Sequence, residues 1–143
     1  MSVNVLSKLL ANSYVLLVKS HNVHWNVVSP NFMAIHLMTE GHYEDLFKAI
    51  DIIAERIRMV GGIAPATFAK FRELASFSDE MTASKDSEML DDLLSCHTAV
   101  CSDLRLGISE LSGSGDFATL DVLDNRLSFH EKVVWMLKAT VRA

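Results

Sequence analysis

The chain has 143 residues, half of them hydrophobic, and a formal net charge of −5 at pH 7. This length predicts a single domain, residues 1–143, which is large enough to bury a hydrophobic core. The acidic balance argues against general affinity for nucleic acid, which depends on clustered Lys and Arg. The longest uninterrupted apolar runs, Tyr14–Val18 and Val133–Leu137, have five residues each, so no segment is predicted to span a membrane.

The first predicted helix runs from Val3 to about Asn26, with Ser2 as its N-cap. Its apolar residues recur at helical spacing along one stripe. The stripe consists of Leu6, Leu9, Leu10, Leu16 and Leu17. No basic segment precedes these residues, and Lys8 and Lys19 interrupt them, which argues against a signal peptide. We therefore expect a cytoplasmic protein.

The second predicted helix is very long and runs from about Asn31 to Val60. Pro30 cannot continue the preceding helix but is well suited to a first helical turn. The apolar pattern then continues until Gly61-Gly62 ends it. Such a helix is roughly 45 Å long, a length that is typical of helical bundles.

The rest of the chain predicts one short and two long helices. The short helix spans Thr67–Ala75 and is followed by long helices over Lys85–Leu111 and from Asp116 to the C-terminal region. With no strand signal, the sequence predicts an all-α protein, a four-helix bundle with a short extra helix. The surplus of apolar residues predicts that helices also pack against other copies of the chain.

The long second helix carries polar residues that share one face, namely His36, Glu40, Asp51 and Glu55. Its apolar residues occupy a different face, which is predicted to lie in the core. These are Phe32, Ile35, Tyr43, Leu46, Ile50, Ile53 and Ile57. A solvated face with ordinary i,i+4 pairs is one interpretation. Imidazole and carboxylate groups are also metal ligands, and their spacing favours a metal site.

A metal site with these residues requires two chains. His24 and His36 lie six residues before and after the proline of the turn, so the hairpin brings them level. His36 and Asp51 are separated by fifteen residues, or roughly 22 Å of helix rise. A two-fold axis near Tyr43 and Glu44 would bring the histidines of one copy to the carboxylates of the other.

The histidine and carboxylate motifs resemble those of a known family. The chain carries His24-Trp25-Asn26, then His36, then Asp51-x-x-x-Glu55-Arg56 and Gly61-Gly62. In these motifs, and in Phe129–Lys132 and Trp135–Leu137, it resembles the Dps family of miniferritins over nearly its whole length. One departure is Ser29, which stands where the family usually has glycine before the proline. The resemblance implies a ferritin-like four-helix bundle with a short extra helix in the B–C connection.

The resemblance also implies a function and a set of ligands. The implied iron ligands are His24, His36, Glu40, Asp51 and Glu55. Trp25 is implied to lie beside this centre, and His21 is either an outer residue of the site or a surface histidine. The implied activity is that of a ferroxidase, which oxidises Fe(II) to Fe(III), preferably with hydrogen peroxide, at centres between two-fold related subunits. Each centre holds one or two iron ions, and ferric iron is stored in a hollow dodecameric cage that protects against oxidative damage.

Four further residues are assigned more than one interpretation. His97 and His130 fall on predicted core stripes, where a metal site inside the bundle is one interpretation. We prefer to interpret them as hydrogen-bonded core residues, because no carboxylate cluster shares those stripes. Asp116 and Asp121 complement the dipole at the start of the last helix. The resemblance implies, as an alternative, that these two carboxylates line a pore through which iron enters.

The main alternative function is a DNA-binding protein that compacts the nucleoid and has a secondary metal site. Some Dps proteins bind DNA through flexible tails rich in lysine. This chain has only Lys8 and Lys19 in its first twenty residues, and helix formation is predicted to begin almost at once. We therefore expect weak or absent DNA binding.

Overall fold

The computed structural model describes residues 1–141 and contains five α-helices with no strand in that range. The helices are α1 (Ser2–Asn26), α2 (Phe32–Met59), α3 (Phe68–Leu74), α4 (Asp86–Leu111) and α5 (Phe117–Val141). Four long helices and one short helix confirm the predicted fold class. The last two residues of the predicted single domain, 142 and 143, lie outside the described residues.

The four long helices form two hairpins that pack together. Helix α1 lies along α2 and α4 lies along α5, while α1 also contacts α4 and the short α3. Apolar side chains from all four long helices fill the interior. They include Leu6, Leu10, Leu16, Ile35, Leu46, Ile53, Ile57, Leu93, Leu104, Leu111 and Leu123. None of the helices in residues 1–141 is long and apolar enough to cross a membrane.

Two residues of the apolar face predicted for α2 are not buried. Phe32 is 36% exposed, because it lies in the first turn of the helix, beyond the end of the bundle core. Tyr43 is partly exposed and leans over the hairpin histidines. The buried apolar residues of this face are Ile35, Leu46, Ile50, Ile53 and Ile57, as predicted.

The start of α1 differs from the prediction, because Ser2 is not its N-cap. The Met1 carbonyl already accepts hydrogen bonds from the amides of Asn4 and Val5, so the helix begins one residue earlier. The Ser2 hydroxyl instead donates to Asp116 Oδ2 at 2.7 Å. The cap predicted for α5 is confirmed, since Asp116 Oδ1 accepts from the Thr119 amide at 3.2 Å.

The turns at the two ends of α2 follow from their residue types. Before the helix, Ser29 Oγ accepts from the Asn31 amide at 3.1 Å. No residue other than glycine has a positive φ in the described range, so serine fits here without strain. After the helix, Gly61 has a φ of 84° and donates to the Arg58 carbonyl, while Gly62 donates to the Ile57 carbonyl. These bonds form a Schellman motif, which explains why the helix ends at the glycine pair.

Lys19 is a charged residue in the interior and is only 2% exposed. Its Nζ donates to the carbonyl oxygens of Ser78 and Glu80 at 3.1 and 2.8 Å and lies 2.8 Å from Asp92 Oδ2. A buried ammonium needs such partners to offset its lost hydration. Lys19 therefore fixes the connection between α3 and α4 to the middle of α1.

Candidate metal centre

Two histidines face each other across the α1–α2 hairpin. His24 lies near the end of α1 and His36 in the second turn of α2, with ring centroids 3.6 Å apart and ring planes at 13°. His24 is buried and His36 is partly exposed. The prediction that the hairpin brings these residues level is confirmed.

Reciprocal hydrogen bonds hold this pair. His24 Nδ1 donates to the His36 carbonyl at 2.8 Å, and His36 Nδ1 donates to the His24 carbonyl at 2.7 Å. A carbonyl oxygen only accepts, so each Nδ1 carries the proton and each neutral ring keeps the lone pair of Nε2. Metal-binding histidines use this arrangement, in which the hydrogen bond of one nitrogen orients the other as a ligand.

Thr39 completes the buried side of the pair and has no exposed surface. Its hydroxyl lies 2.8 Å from the Ile35 carbonyl and 3.1 Å from the His36 carbonyl, as a donor to both. The same oxygen is 3.4 Å from His24 Nδ1. Thr39 therefore supports the carbonyl that orients His24. Sequence reasoning missed it, although its position one turn after Ile35 places it beneath the hairpin.

Aromatic residues surround the exposed side of the pair. Tyr43 packs edge-on against His24 with centroids 5.1 Å apart, and it also contacts His21 at 4.4 Å. His21 in turn stacks on Trp25 at 4.8 Å, and the Trp25 side chain is 68% exposed. Burial, and then the proximity of the His24 imidazole, lower the pKa of His21. Tyr43 was assigned to the core by periodicity, but its spacing of seven residues from His36 also placed it on the histidine face.

The predicted carboxylate ligands lie farther along α2. Glu40 is partly buried one turn after His36, whereas Asp51 and Glu55 are exposed, as expected for side chains that point away from the core. Helix rise separates His36 from Asp51 by roughly 22 Å. Within residues 1–141 of one chain, no three side chains of ligand type converge on a position that could hold a metal. Within one chain, the structure therefore brings the two histidines together but leaves Asp51 and Glu55 far from them.

The two carboxylates at the start of α5 have different surroundings. Asp116 receives hydrogen bonds from Ser2, Thr119 and Arg56, the last through Nη2 at 2.6 Å. Burial alone raises the pKa of Asp116, but these hydrogen bonds outweigh it and hold the pKa well below its usual range. Asp121 is exposed. Asp116 thus joins the end of α2 to the starts of α1 and α5, while Asp121 remains accessible.

The fold and sequence match characterised proteins over nearly the whole chain. Residues 3–143 match the family model described as a ferritin-like domain. The DNA protection during starvation protein of Brevibacillus brevis is 36% identical over 135 residues, which cover 94% of this chain and 91% of that protein. The crystal structure of a Dps protein from Bacillus brevis has a TM-score of 0.93 and 34% identity, with coverage of 98% and 94%. Dps from Listeria innocua, soaked with zinc, has a TM-score of 0.93 and 28% identity, with coverage of 99% and 96%.

These matches, together with the five-helix architecture, define a ferritin-like protein. The chain belongs to the Dps family. Its membership supports iron storage as the general function.

Proposed function

We propose that the metal centre forms between two chains. His24 and His36 of one chain would bind iron together with Asp51 and Glu55 of a second chain, and Glu40 would be a further ligand. The observation that carries this proposal is the pair of reciprocal Nδ1 hydrogen bonds, which leave two Nε2 lone pairs available. The exposed carboxylates, separated from the histidines by helix rise, supply the other half of the site.

The donor set suits an iron substrate that changes its oxidation state. Imidazole nitrogen binds Fe(II), and carboxylate oxygen favours the harder Fe(III). We propose a ferroxidase reaction in which two Fe(II) and one H₂O₂ with two protons yield two Fe(III) and two H₂O. Each centre would hold one or two iron ions, and the ferric product would be stored as mineral. Removal of Fe(II) and peroxide together would limit oxidative damage.

The proposed assembly is a hollow dodecamer built from two-fold dimers. Many large apolar side chains of the monomer are exposed, which favours burial against other copies. They include Trp25, Val28, Met33, Leu37, Phe47, Ile52, Met59, Ile63, Phe68, Phe117 and Trp135. A Cβ built at Gly41 meets no atom within 4 Å, so open space surrounds this part of α2, where the two-fold axis is proposed.

We propose Asp121 and Asp116 as pore residues for iron access, with Asp121 carrying the larger share because its carboxylate is exposed. DNA is not the favoured partner. The formal charge of −5 opposes phosphate binding.

The test is complementation between two defective chains. His24→Ala,His36→Ala and Asp51→Ala,Glu55→Ala should each lose rapid Fe(II) oxidation, measured by stopped-flow absorbance of the ferric product. A mixed dimer would have one centre without any of these four ligands and one with all four. Reassembly of the mixture should therefore restore part of the activity.

The control is Glu88→Ala,Asp91→Ala, which removes two exposed carboxylates of α4 and should leave oxidation unchanged. If verified mixed dimers show no recovery, although wild-type chains regain activity through the same procedure, the site is not shared between chains.

A further inference from the structure

A second histidine pair lies inside the bundle, between α4 and α5. His97 and His130 have no exposed surface, and their Nδ1 atoms are 2.8 Å apart. In a neutral pair one Nδ1 donates its proton and the other accepts it. Within residues 1–141, the two Nε2 atoms are buried and find no hydrogen-bond partner. The pair therefore satisfies only half of its hydrogen-bonding groups.

The titratable groups around this pair are His42 and Arg126, with Asp45 paired to Arg126. From α2, His42 approaches His97 with a centroid distance of 5.9 Å and is 4% exposed. From α5, Arg126 is buried, and its Nη1 donates to Asp45 Oδ1 at 2.6 Å. Asp45 thus pairs with the guanidinium rather than with a histidine. In the described part of the chain, no titratable side chain of α1 or α3 perturbs either ring.

Protonation of this pair has no compensating partner in the folded state. It would add an N–H group where residues 1–141 offer no acceptor, and it would add a positive charge near Arg126. Burial, followed by the charges of His42 and Arg126, holds the pKa of His97 well below its ordinary value. Burial, followed by the charges of His97, Arg126 and His42, does the same for the pKa of His130. The folded bundle therefore keeps both rings neutral.

The direction of the pH effect follows from linkage. A histidine with a pKa near 6.5 in the unfolded chain and a lower pKa in the folded chain binds more protons when unfolded. The stability of the fold is therefore complete above about pH 6.5 and falls as the pH drops toward the folded pKa values.

His42 and Phe129, which lie against the pair, also line a groove on the surface. A surface groove between α2 and α5 is lined by Gly41, His42, Phe129 and Val133, among others. The Phe129 ring contacts both His97 and His130. Separation of α5 from α2 along this groove would hydrate the imidazoles without unfolding the α1–α2 hairpin.

We propose that the His97–His130 pair is an acid-sensitive lock, so that acidification opens the contact of α5 with α4 and α2 from inside the bundle. The lock does not rest on the proposed iron chemistry. Its components are a buried imidazole pair without acceptors and a neighbouring guanidinium.

The test measures the two rings and the two helices in the same assembled, full-length protein. Exchange of the imidazole C2 hydrogen with deuterium, followed by mass spectrometry, gives the titration midpoint of each histidine. Exchange of backbone amides reports the opening of α4 and α5. We expect midpoints for His97 and His130 well below the ordinary value of about 6.5, with amide protection of α4 and α5 lost over the same pH interval.

A double variant sharpens the test. His97→Leu,His130→Leu removes both bases and should keep α5 protected to a pH about one unit lower than wild type. The control His21→Leu, outside the bundle interior, should not move the opening midpoint. If the double variant does not fold, the wild-type measurement decides. The proposal is wrong if the two rings titrate near pH 6.5 while both helices stay protected, or if both helices stay protected at a pH at which both rings have taken up a proton.

Discussion

The two histidine pairs of this chain differ in what their Nδ1 atoms bind. In the hairpin pair, His24 and His36 each donate to a backbone carbonyl, which leaves both Nε2 atoms with a lone pair. In the interior pair, His97 and His130 bond to each other, and their Nε2 atoms are buried without a partner in the described chain. The same residue type thus keeps an available ring nitrogen in one place and is held as a buried, mutually bonded pair in the other.

The comparison shows that the hydrogen-bond partner of one imidazole nitrogen decides what the other nitrogen can bind. Two helices joined by a short turn bring the carbonyl of each histidine close to the ring of the other, whereas the hydrogen-bond partner of each interior ring is the other ring. Histidines near helix ends can therefore be oriented by the backbone. Histidines in the middle of helices must find side-chain partners.

The largest expected effects come from removing one histidine from each of the two pairs in turn. His36→Ala should weaken metal binding by about 100-fold or more, because removal of a ligand exceeds the 10- to 100-fold cost of losing an outer-shell partner. Its thermal stability should change little, since the side chain is partly exposed. Stopped-flow oxidation and thermal unfolding at pH 7.5 measure the two quantities.

The matched variant is His97→Ala, which should destabilise the fold by about 3 kcal/mol through loss of a buried ring. Its initial rate of Fe(II) oxidation should stay close to that of wild type. An oxidation rate reduced as strongly as in His36→Ala, in a folded His97→Ala protein, would abolish the distinction between the two pairs.

An intermediate effect is expected from Asp45, whose carboxylate pairs with the buried guanidinium of Arg126. Asp45→Ala should cost about 2 kcal/mol, the scale of a hydrogen bond to a charged group, because it leaves Arg126 without its partner. Asp124→Ala, an exposed position on α5, serves as the control for a lost surface charge. Denaturant unfolding of both variants makes the comparison, and equal stabilities would show that Asp45 does not hold the guanidinium.

The smallest expected effect concerns the support of the hairpin pair. Thr39→Val keeps the side-chain volume but removes the hydroxyl beside the His36 carbonyl, and we expect a loss of about 1 kcal/mol, or roughly five-fold, in Co(II) affinity. Thr98→Val removes a similar hydrogen bond, from the hydroxyl of an exposed residue of α4 to the Leu94 carbonyl. This variant should not change the Co(II) affinity. Spectroscopic Co(II) titration of assembled protein measures both variants, and equal losses in the two would assign no orienting role to Thr39.

The helices and the proximity of the hairpin histidines could be predicted because both depend on local sequence. Helical spacing gave the five helices, Gly61-Gly62 gave the end of α2, and a separation of twelve residues made the contact of His24 with His36 a consequence of one turn. The reciprocal carbonyl bonds could not be predicted, since they depend on the angle at which two helices meet.

Long-range packing accounts for the remaining differences. The sequence predicted that His97 and His130 are hydrogen-bonded core residues, and their mutual bond confirms it. Their unpartnered Nε2 atoms and the nearby guanidinium depend on contacts between three helices, which periodicity does not encode. The role of Ser2 was also predicted wrongly, because its partner Asp116 lies 114 residues away.

The buried ammonium of Lys19 has a consequence for the order of events during synthesis. Its three partners, Ser78, Glu80 and Asp92, all follow the α1–α2 hairpin in the chain. A nascent chain that has released only the first hairpin therefore exposes this charge on the face of α1 that later packs against α4, and the charge opposes non-native burial of that face. That face of α1 is therefore completed only after Asp92 of the fourth helix has been synthesised.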